Sequence, residues 1–327
     1  MHDPRISVIV PTYNGATFLA ETLRSLLAQT CDECEIVVVD DGSSDATTSI
    51  VRAYESQGIR LVEHEVNRGV SAAVNSGFEA TTGAFVAFIG HDDLWHPEKL
   101  ERQLRVFDTE PSIDACFCDF EEFGVDVPSG RFGFDQRDQA MRRYPRREIA
   151  RETFVISSES FLADLARIQA TILPSTLLIR RDALAKAMPL DEDVTIEDVQ
   201  INFRLANQVR FAYIDRPLAL RRIHKANWSS AMGDLRWLDA HIKTLQRLPR
   251  WTSLSPAESA WVDTLLAGHC AAAGYTMFSS GDLMQARAHY WNSVRAKFSA
   301  LNALYLAASY LPASVISTVR EFKQRFR

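Results

Sequence analysis

Phe85-Val-Ala-Phe-Ile-Gly-His-Asp-Asp-Leu-Trp-His96 decides the fold of this chain of 327 residues, because an apolar run ends there abruptly in two adjacent carboxylates. A continuous apolar run bounded by a turn suits a strand covered on both faces, as in a parallel sheet with helices on either side. Open sheets of that kind bind ligands at the carboxyl ends of their strands. Asp92 and Asp93 therefore stand where a ligand is expected, and as hard oxygen donors they suit Mg²⁺ or Mn²⁺ against a phosphorylated substrate. Helix capping is the bland reading of such acids. It fits poorly, since Pro97 reads as the first residue of the next helix and Glu98 already supplies its acidic first turn.

Working back from that stretch, Ile6 to Val10 is a β-branched run closed by the turn formers Pro11-Thr-Tyr-Asn-Gly15, and Leu19, Leu23, Leu26 and Leu27 then recur at helical spacing. Glu35 to Val39 reads as a second buried strand, ending in Asp40 and Asp41, with Gly42 and Ser43 turning the chain and Asp45 opening a helix. Ile59 to Glu63 is a third strand, Asn67-Arg68-Gly69 a turn, Ser71 to Ala80 a helix, and Gly83 the break before the opening stretch. The order β-α-β-α-β-α-β implies parallel strands joined by right-handed crossovers, hence an α/β fold. Neither G-x-G-x-x-G after the first strand nor G-x-x-x-x-G-K-[ST] occurs, so phosphate must be held in another way.

Downstream, Asp114 to Phe123 alternates as a strand, and Gly124 to Arg151 reads as a long excursion of the kind used for lids. Its Arg142, Arg143, Arg146 and Arg147 read first as a solvated basic face. Ser158 to Ile168 looks helical, Ala170 to Arg180 extended around Pro174, and a short helix should run to Met188. Thr195-Ile-Glu-Asp198 opens a helix with Ile196, Val199, Phe203 and Ala206 inward. Its acids have two readings, a capping arrangement at the helix start or a catalytic pair. Phe211 to His224 is extended and delivers Arg221, Arg222 and His224 together at its end, and after Asn227 the chain is helical throughout.

A net charge of -6 argues against bulk binding to nucleic acid. The five cysteines are an odd number, no signal peptide is read at Met1 to Arg5, and a reduced cytoplasmic compartment is expected. The lone Cys31-x-x-Cys34 lacks a second pair at zinc spacing and reads as structural. Phe298 to Val319 carries no charge over 22 positions, yet Asn302, several serines and Pro312 make it too polar for a membrane span. With Arg320, Lys323, Arg325 and Arg327 behind it, this tail reads first as a helix packed on the catalytic domain, the second reading being a helix lying on the inner face of an anionic membrane.

Taken together, Ile6-Ser-Val-Ile-Val-Pro-Thr-Tyr-Asn14, Val38-Val-Asp-Asp-Gly-Ser-Ser-Asp45, Asn67-Arg-Gly-Val-Ser-Ala-Ala-Val-Asn-Ser-Gly77, Asp92-Asp93 with Trp95, Pro97 and Leu100, Glu197-Asp198, and Arg222-Ile-His-Lys-Ala-Asn227 resemble the family 2 glycosyltransferases. These are nucleotide-sugar enzymes of the GT-A fold, a Rossmann-like, mostly parallel central sheet flanked by helices. The likeness covers about residues 5 to 228, so a catalytic domain over 1–228 and a helical appendage over 229–327 are expected. The resemblance implies that Pro11, Tyr13 and Asp41 surround the nucleotide base, with Asp41 accepting from an imide N–H such as uracil presents. It further implies that Arg68 faces the diphosphate, that Asp92 and Asp93 carry Mn²⁺ or Mg²⁺, and that Asp198 is the general base. Arg222 and His224 would close over the diphosphate. One departure stands out: the family's usual Asp-x-Asp-Asp is Gly90-His-Asp-Asp here.

The implied reaction is inverting transfer of a sugar from a nucleoside diphosphate, UDP by preference, to a hydroxyl of a saccharide or lipid-linked acceptor, in cell-surface polysaccharide or glycolipid synthesis. A cation and an arginine suit the charge that develops on the leaving diphosphate, and a carboxylate suits the acceptor proton. Two other readings are a GT-A module that binds nucleotide sugar with impaired catalysis, made thinkable by Gly90, and a nucleotidyltransferase. The second would need a Gly-rich basic loop after the first strand, which Pro11-Thr-Tyr-Asn-Gly15 is not.

Overall fold

The computed structural model describes residues 5–31, 33–125, 146–156, 172–205, 208–225 and 235–311. The chain divides into two compact units, Met1–Ser230 and Ala231–Arg327.

In the first unit β1 (Ile6–Thr12), α1 (Leu19–Leu27), β2 (Cys34–Asp40), α2 (Thr47–Arg52), β3 (Ile59–Glu63), α3 (Val70–Ala80) and β4 (Phe85–Phe88) alternate as the sequence implies. Ile9, Val37, Val38, Val39 and Val86 are completely buried. Helices cover both faces of these strands, which is why their apolar runs need not alternate. The chain continues through β5 (Leu94–Trp95), α4 (Lys99–Thr109), β6 (Ala115–Gly124), β7 (Arg146–Ala150), β8 (Thr153–Ile156), β9 (Leu177–Arg180), α5 (Arg181–Ala185), α6 (Glu197–Leu205) and β10 (Phe211–Ile223). Among the described residues these strands form one mixed, mostly parallel sheet in the order β3-β2-β1-β4-β9-β6-β10-β8-β7, with β5 added against β10.

The direction of β9 organises the site. Strands β3, β2, β1 and β4 are parallel, whereas β9 is antiparallel to both of its neighbours, β4 and β6. Two reversals cancel, so β6 and its parallel partner β10 run the same way as β1 to β4. One edge of the sheet therefore collects the turns after β1, β2 and β4, the end of β10, and the 3-10 turn Pro174–Thr176 from which β9 departs. Pro217, which has no N–H for the ladder, sits where the β10–β6 register shifts on either side of it. Beyond it β10 also pairs with β5, placing Ala219 opposite Trp95.

Several local expectations shift. Helix α4 starts at Lys99 rather than Pro97. The end of the Gly124 to Arg151 excursion is strand β7, an edge strand exposed on both faces and so without the alternation that marks a strand. Arg146 lies over the Phe154 ring at 4.2 Å and Arg147 pairs with Glu110 at 2.6 Å. Arg142, Arg143, Ala206, Asn227 and the helix expected over Ser158 to Ile168 lie outside the described residues.

The second unit consists, among the described residues, of α7 (Leu235–Trp251), α8 (Pro256–Ser280), α9 (Leu283–Ala296) and α10 (Ala300–Ala308). Helix α8 opens with a reciprocal capping box between Ser255 and Glu258 and closes at Gly281, whose φ of 94° is the left-handed conformation glycine tolerates. Leu238 and Ile242 of α7 pack on Cys270 and Ala273 of α8. Tyr290 of α9 stacks on Tyr305 of α10 at 5.4 Å. No helix of the described residues is long and apolar enough to cross a membrane. The basic residues from Arg320 onward lie outside the described residues.

Candidate active site

The turns after β1 and β2 are tied into one piece. Asn14 takes a positive φ of 50°, its N–H donates to Ser43 Oγ at 2.8 Å, and its side-chain oxygen accepts from Ser44 N–H at 2.9 Å. Gly15 N–H donates to Thr47 Oγ1 at 2.9 Å and Ala16 N–H to Asp45 at 3.2 Å. A Cβ at Gly15 would stand 2.5 Å from Thr12 Oγ1 and 2.9 Å from the His91 ring, so only glycine lets this turn close on the acidic turn after β4. Pro11 lies in the last turn-facing part of β1, and Tyr13 beside it is 46% exposed, a ring free to serve as a platform.

Asp41 is nearly inaccessible at 3% exposure. Its Oδ1 accepts from Arg68 N–H at 2.9 Å and pairs with His64 Nδ1 at 2.7 Å, while Oδ2 accepts from Gly69 N–H at 2.7 Å. His64 in turn contacts Ser76 Oγ at 2.9 Å. Asp41 thus fixes the loop between β3 and α3, and its capacity to accept from a base is already largely used. Arg68, expected at the diphosphate, instead forms a two-pronged ion pair with Glu192 at 2.9 and 3.0 Å, with both side chains near half-exposed.

After β4 the chain turns through Gly90 into the two acids. Asp93 accepts Ser175 O–H on Oδ2 at 2.5 Å and Arg222 N–H on Oδ1 at 3.1 Å. Asp92 Oδ2 lies 3.0 Å from His224 Nε2, and its backbone carbonyl accepts from Arg222 Nε at 3.0 Å. Burial, and then the adjacent Asp92, push the Asp93 carboxyl up to about 7. The Arg222 guanidinium is sandwiched between the Phe18 and Phe123 rings, 4.5 Å from each, and paired with Glu21. His224 rests on Phe18 at 4.7 Å. Arg222 and His224 therefore brace the acidic turn, with side chains only 12% and 15% exposed, rather than reaching into open space.

The 190–194 stretch leading into α6 is fastened to α3, through Ser71 Oγ donating to Val194 O at 2.6 Å and Asn75 bonding Leu190 in both directions. Asp198 in the first turn of α6 accepts Val199 N–H at 2.8 Å. Beside it, burial and the neighbouring Asp198 raise the Glu197 carboxyl to about 8.

A divalent cation suits this set. A Cβ placed on Gly90 would come within 2.8 Å of Asp92 Oδ1 and 3.8 Å of Asp93 Oδ2, so the two carboxylates converge over a cradle that any side chain at position 90 would fill. Among the described residues no group of three or more His, Cys, Asp or Glu forms a self-sufficient metal cage. Two carboxylates completed by substrate phosphates is the ordinary arrangement for Mg²⁺ or Mn²⁺. Sequence reasoning missed Ser175, Glu192, Glu21 and the two phenylalanines around Arg222. None carries a local signal, because each meets its partner only across the sheet edge.

The family model for glycosyl transferase family 2 matches residues 7–162. An uncharacterized glycosyltransferase of Nostoc sp. is 32% identical over 230 residues, covering 68% of this chain and 66% of the relative. The chain belongs to glycosyltransferase family 2. As a member of this family it is also similar to TuaG of Bacillus subtilis, named for teichuronic acid biosynthesis, at 40% identity over 103 residues, 31% of this chain and 41% of TuaG. Its match spans just under two thirds of the Nostoc relative's length, 66%. The crystal structure of S. aureus TarS residues 1–349 in complex with UDP aligns with a TM-score of 0.65 at 19% identity, covering 97% of this chain and 91% of that one. At that identity the likeness speaks for the fold, and this family 2 chain has the GT-A fold.

Proposed function

We propose that the protein is an inverting glycosyltransferase that moves a sugar from a nucleoside diphosphate sugar, with UDP as the carrier, to a hydroxyl of a saccharide or lipid-linked acceptor. The cradle over Gly90 carries this reading, because it faces two hard carboxylates into the sheet edge where a diphosphate would arrive. The relatives' names support cell-surface polysaccharide synthesis as the setting, and the UDP complex of TarS supports the base. In this reading catalysis belongs to a domain over 1–228, with a helical region over 229–327.

Tyr13 offers its exposed ring to the base, and Asp41 holds Arg68 and Gly69 by their N–H groups so that the Arg68 side chain projects from a fixed loop. Mn²⁺ or Mg²⁺ held by Asp92 and Asp93 would supply charge neutralisation of the departing diphosphate. Asp198 takes the acceptor proton as its oxygen attacks the face opposite the leaving group. Burial and then the neighbouring Asp198 raise the Glu197 carboxyl, which favours its neutral form and lessens the repelling charge beside that base. The appendage is proposed to touch an anionic membrane from the cytoplasmic side. Helix α10 buries none of its residues, and Leu301 and Leu304 are 61% and 65% exposed.

A panel of nucleotide sugars assayed with Mn²⁺, read as released nucleoside diphosphate with and without candidate polyol or glycan acceptors, tests the reading. Turnover of a UDP-sugar is the expected result. UDP binding without turnover of any donor would favour the impaired-module reading.

A further inference from the structure

We infer that Ser175 is a positioning residue, orienting Asp93 so that its Oδ2 keeps an acceptor site toward the cradle over Gly90. This rests on the reading of Asp92 and Asp93 as metal-holding acids.

A carboxylate on one rotatable arm points wherever its hydrogen bonds hold it. Asp93 has a donor on each oxygen: Arg222 N–H on Oδ1 at 3.1 Å and Ser175 O–H on Oδ2 at 2.5 Å. Two donors on opposite oxygens fix the carboxylate plane and leave each oxygen one acceptor site. The direction of the serine hydrogen is fixed as well, because Gly90 N–H approaches Ser175 Oγ at 3.4 Å and leaves the hydroxyl to donate onward to Asp93. The chain Gly90 N–H, Ser175 O–H, Asp93 therefore closes a ring around the same turn that makes the cradle.

What holds Ser175 is costly, and its cost argues against a passive role. The 3-10 turn Pro174–Thr176 is gripped by two buried side chains, Trp95 and Gln103, with buried Lys99 behind them. Trp95 Nε1–H donates to Ser175 O at 2.7 Å, and Gln103 Nε2–H₂ donates to Thr176 O and Cys116 O, each at 2.8 Å. Lys99, with no exposed surface, donates to Gln103 Oε1 at 2.8 Å and sits 3.9 Å from the Trp95 ring centre. Burying an ammonium with one neutral oxygen and one aromatic face is unfavourable compared with an apolar residue of similar volume. Burial brings its pKa down to about 8. A satisfied polar network of this kind specifies one arrangement rather than adding stability, and the arrangement it specifies is that of Ser175.

The test follows Mn²⁺ binding to the full chain with UDP present, read from the spin-resonance signal of free Mn²⁺. Removing a hydrogen-bond partner of a metal-holding group typically costs ~10–100-fold in metal affinity. Ser175→Ala should weaken Mn²⁺ by that factor while UDP affinity in chelator stays within about twofold of the parent, a split that general loosening of the fold would not produce. Ser175→Thr should restore most of the loss. Should Ser175→Ala not fold, Ser175→Cys, near in size but a weak donor, carries the test with an intermediate loss. Parental Mn²⁺ affinity in Ser175→Ala, or in Ser175→Cys if that variant is the one used, overturns the inference. Asp93→Asn separates the two readings. If it binds Mn²⁺ as the parent does, the metal reading itself falls and takes this inference with it; if it loses Mn²⁺ while Ser175→Ala does not, only the role of Ser175 is refuted.

Discussion

The guanidinium of Arg68 is clasped by the carboxylate of Glu192, with contacts of 2.9 and 3.0 Å that link the loop before α3 to the stretch leading into α6. The side chain expected at the diphosphate is thus paired with an internal anion, with which the phosphate of the proposed donor would have to compete. The competition is mild, because an exposed ion pair is worth only ~0.2–1 kcal/mol.

Glu192→Gln should therefore tighten binding of UDP by about 1.4- to 5-fold, the factor that this range converts to, and Arg68→Ala should weaken it. Calorimetry at low salt measures both. Identical affinities in all three proteins would mean that Arg68 never leaves Glu192.

Asp198→Asn keeps the size of the side chain and an oxygen that can still accept Val199 N–H, so the fold should survive. It cannot take a proton, and loss of a general base typically costs ~10²–10⁴ in rate. Single-turnover transfer should collapse while donor and Mn²⁺ affinities stay near the parent's, whereas Asp93→Asn should lower both together. Parental transfer by Asp198→Asn would return that residue to a purely helix-capping role.

Gly90→Ala places a methyl 2.8 Å from Asp92 Oδ1 and must turn that carboxylate away from His224. Mn²⁺ affinity should fall roughly tenfold. Gly90→Asp, which writes in the acid usual for the family, should not gain metal, because the new side chain enters the space where the Asp92 and Asp93 carboxylates converge. A Gly90→Asp protein with tighter Mn²⁺ binding would contradict the cradle geometry.

How much of this was legible in the sequence depends on how far apart the partners lie. The strands and the carboxylates at their tips are local patterns, an apolar run and a turn, and β1 to β4 follow them closely. The supports of those carboxylates are not local: Ser175 meets Asp93 across 82 residues and Arg68 meets Glu192 across 124. Hydrogen bonds of that span leave no periodicity behind. Arg222 shows the same limit. Its place at the end of β10 is readable, but its sandwich between Phe18 and Phe123 depends on which strands become neighbours. Strand β7 stayed hidden for a different reason, since an edge exposed on both faces has no apolar side to alternate.

In the second unit His269 of α8 lies beside His241 of α7, ring centres 5.5 Å apart. Burial, and then His241, lower its pKa from 6.5 to about 4. The unfolded chain takes up this proton below about pH 6.5 and the native state only below about pH 4, so native stability should fall with pH across that window and be unaffected above it. The loss attributable to this group is at most roughly 3 kcal/mol. Urea unfolding of parent and His269→Gln at about pH 7 and pH 5 measures it, with a flatter profile expected for the variant. Parallel profiles would assign the acid sensitivity elsewhere.

The unburied face of α10 carries Leu301 and Leu304, and Tyr310 and Leu311 just beyond the helix are 68% and 47% exposed. Leu301→Glu with Leu304→Glu should reduce co-sedimentation with vesicles rich in anionic lipid, and raised salt should reduce it for the parent as well. Sedimentation unchanged by both treatments would remove the membrane reading.

Arg222 reaches Asp93 across 129 positions of chain. During synthesis, at ~5–20 residues per second, the acidic turn emerges from the ribosome roughly 6–26 s before the strand that braces it. The residues of β1 to β4 are synthesised first, and the two acids after them precede their donors Ser175 and Arg222 in the chain. A polypeptide interrupted between α4 and the end of β10 would carry both carboxylates yet lack the Arg222 N–H that helps fix their aim, so such fragments should differ from the whole in cation affinity.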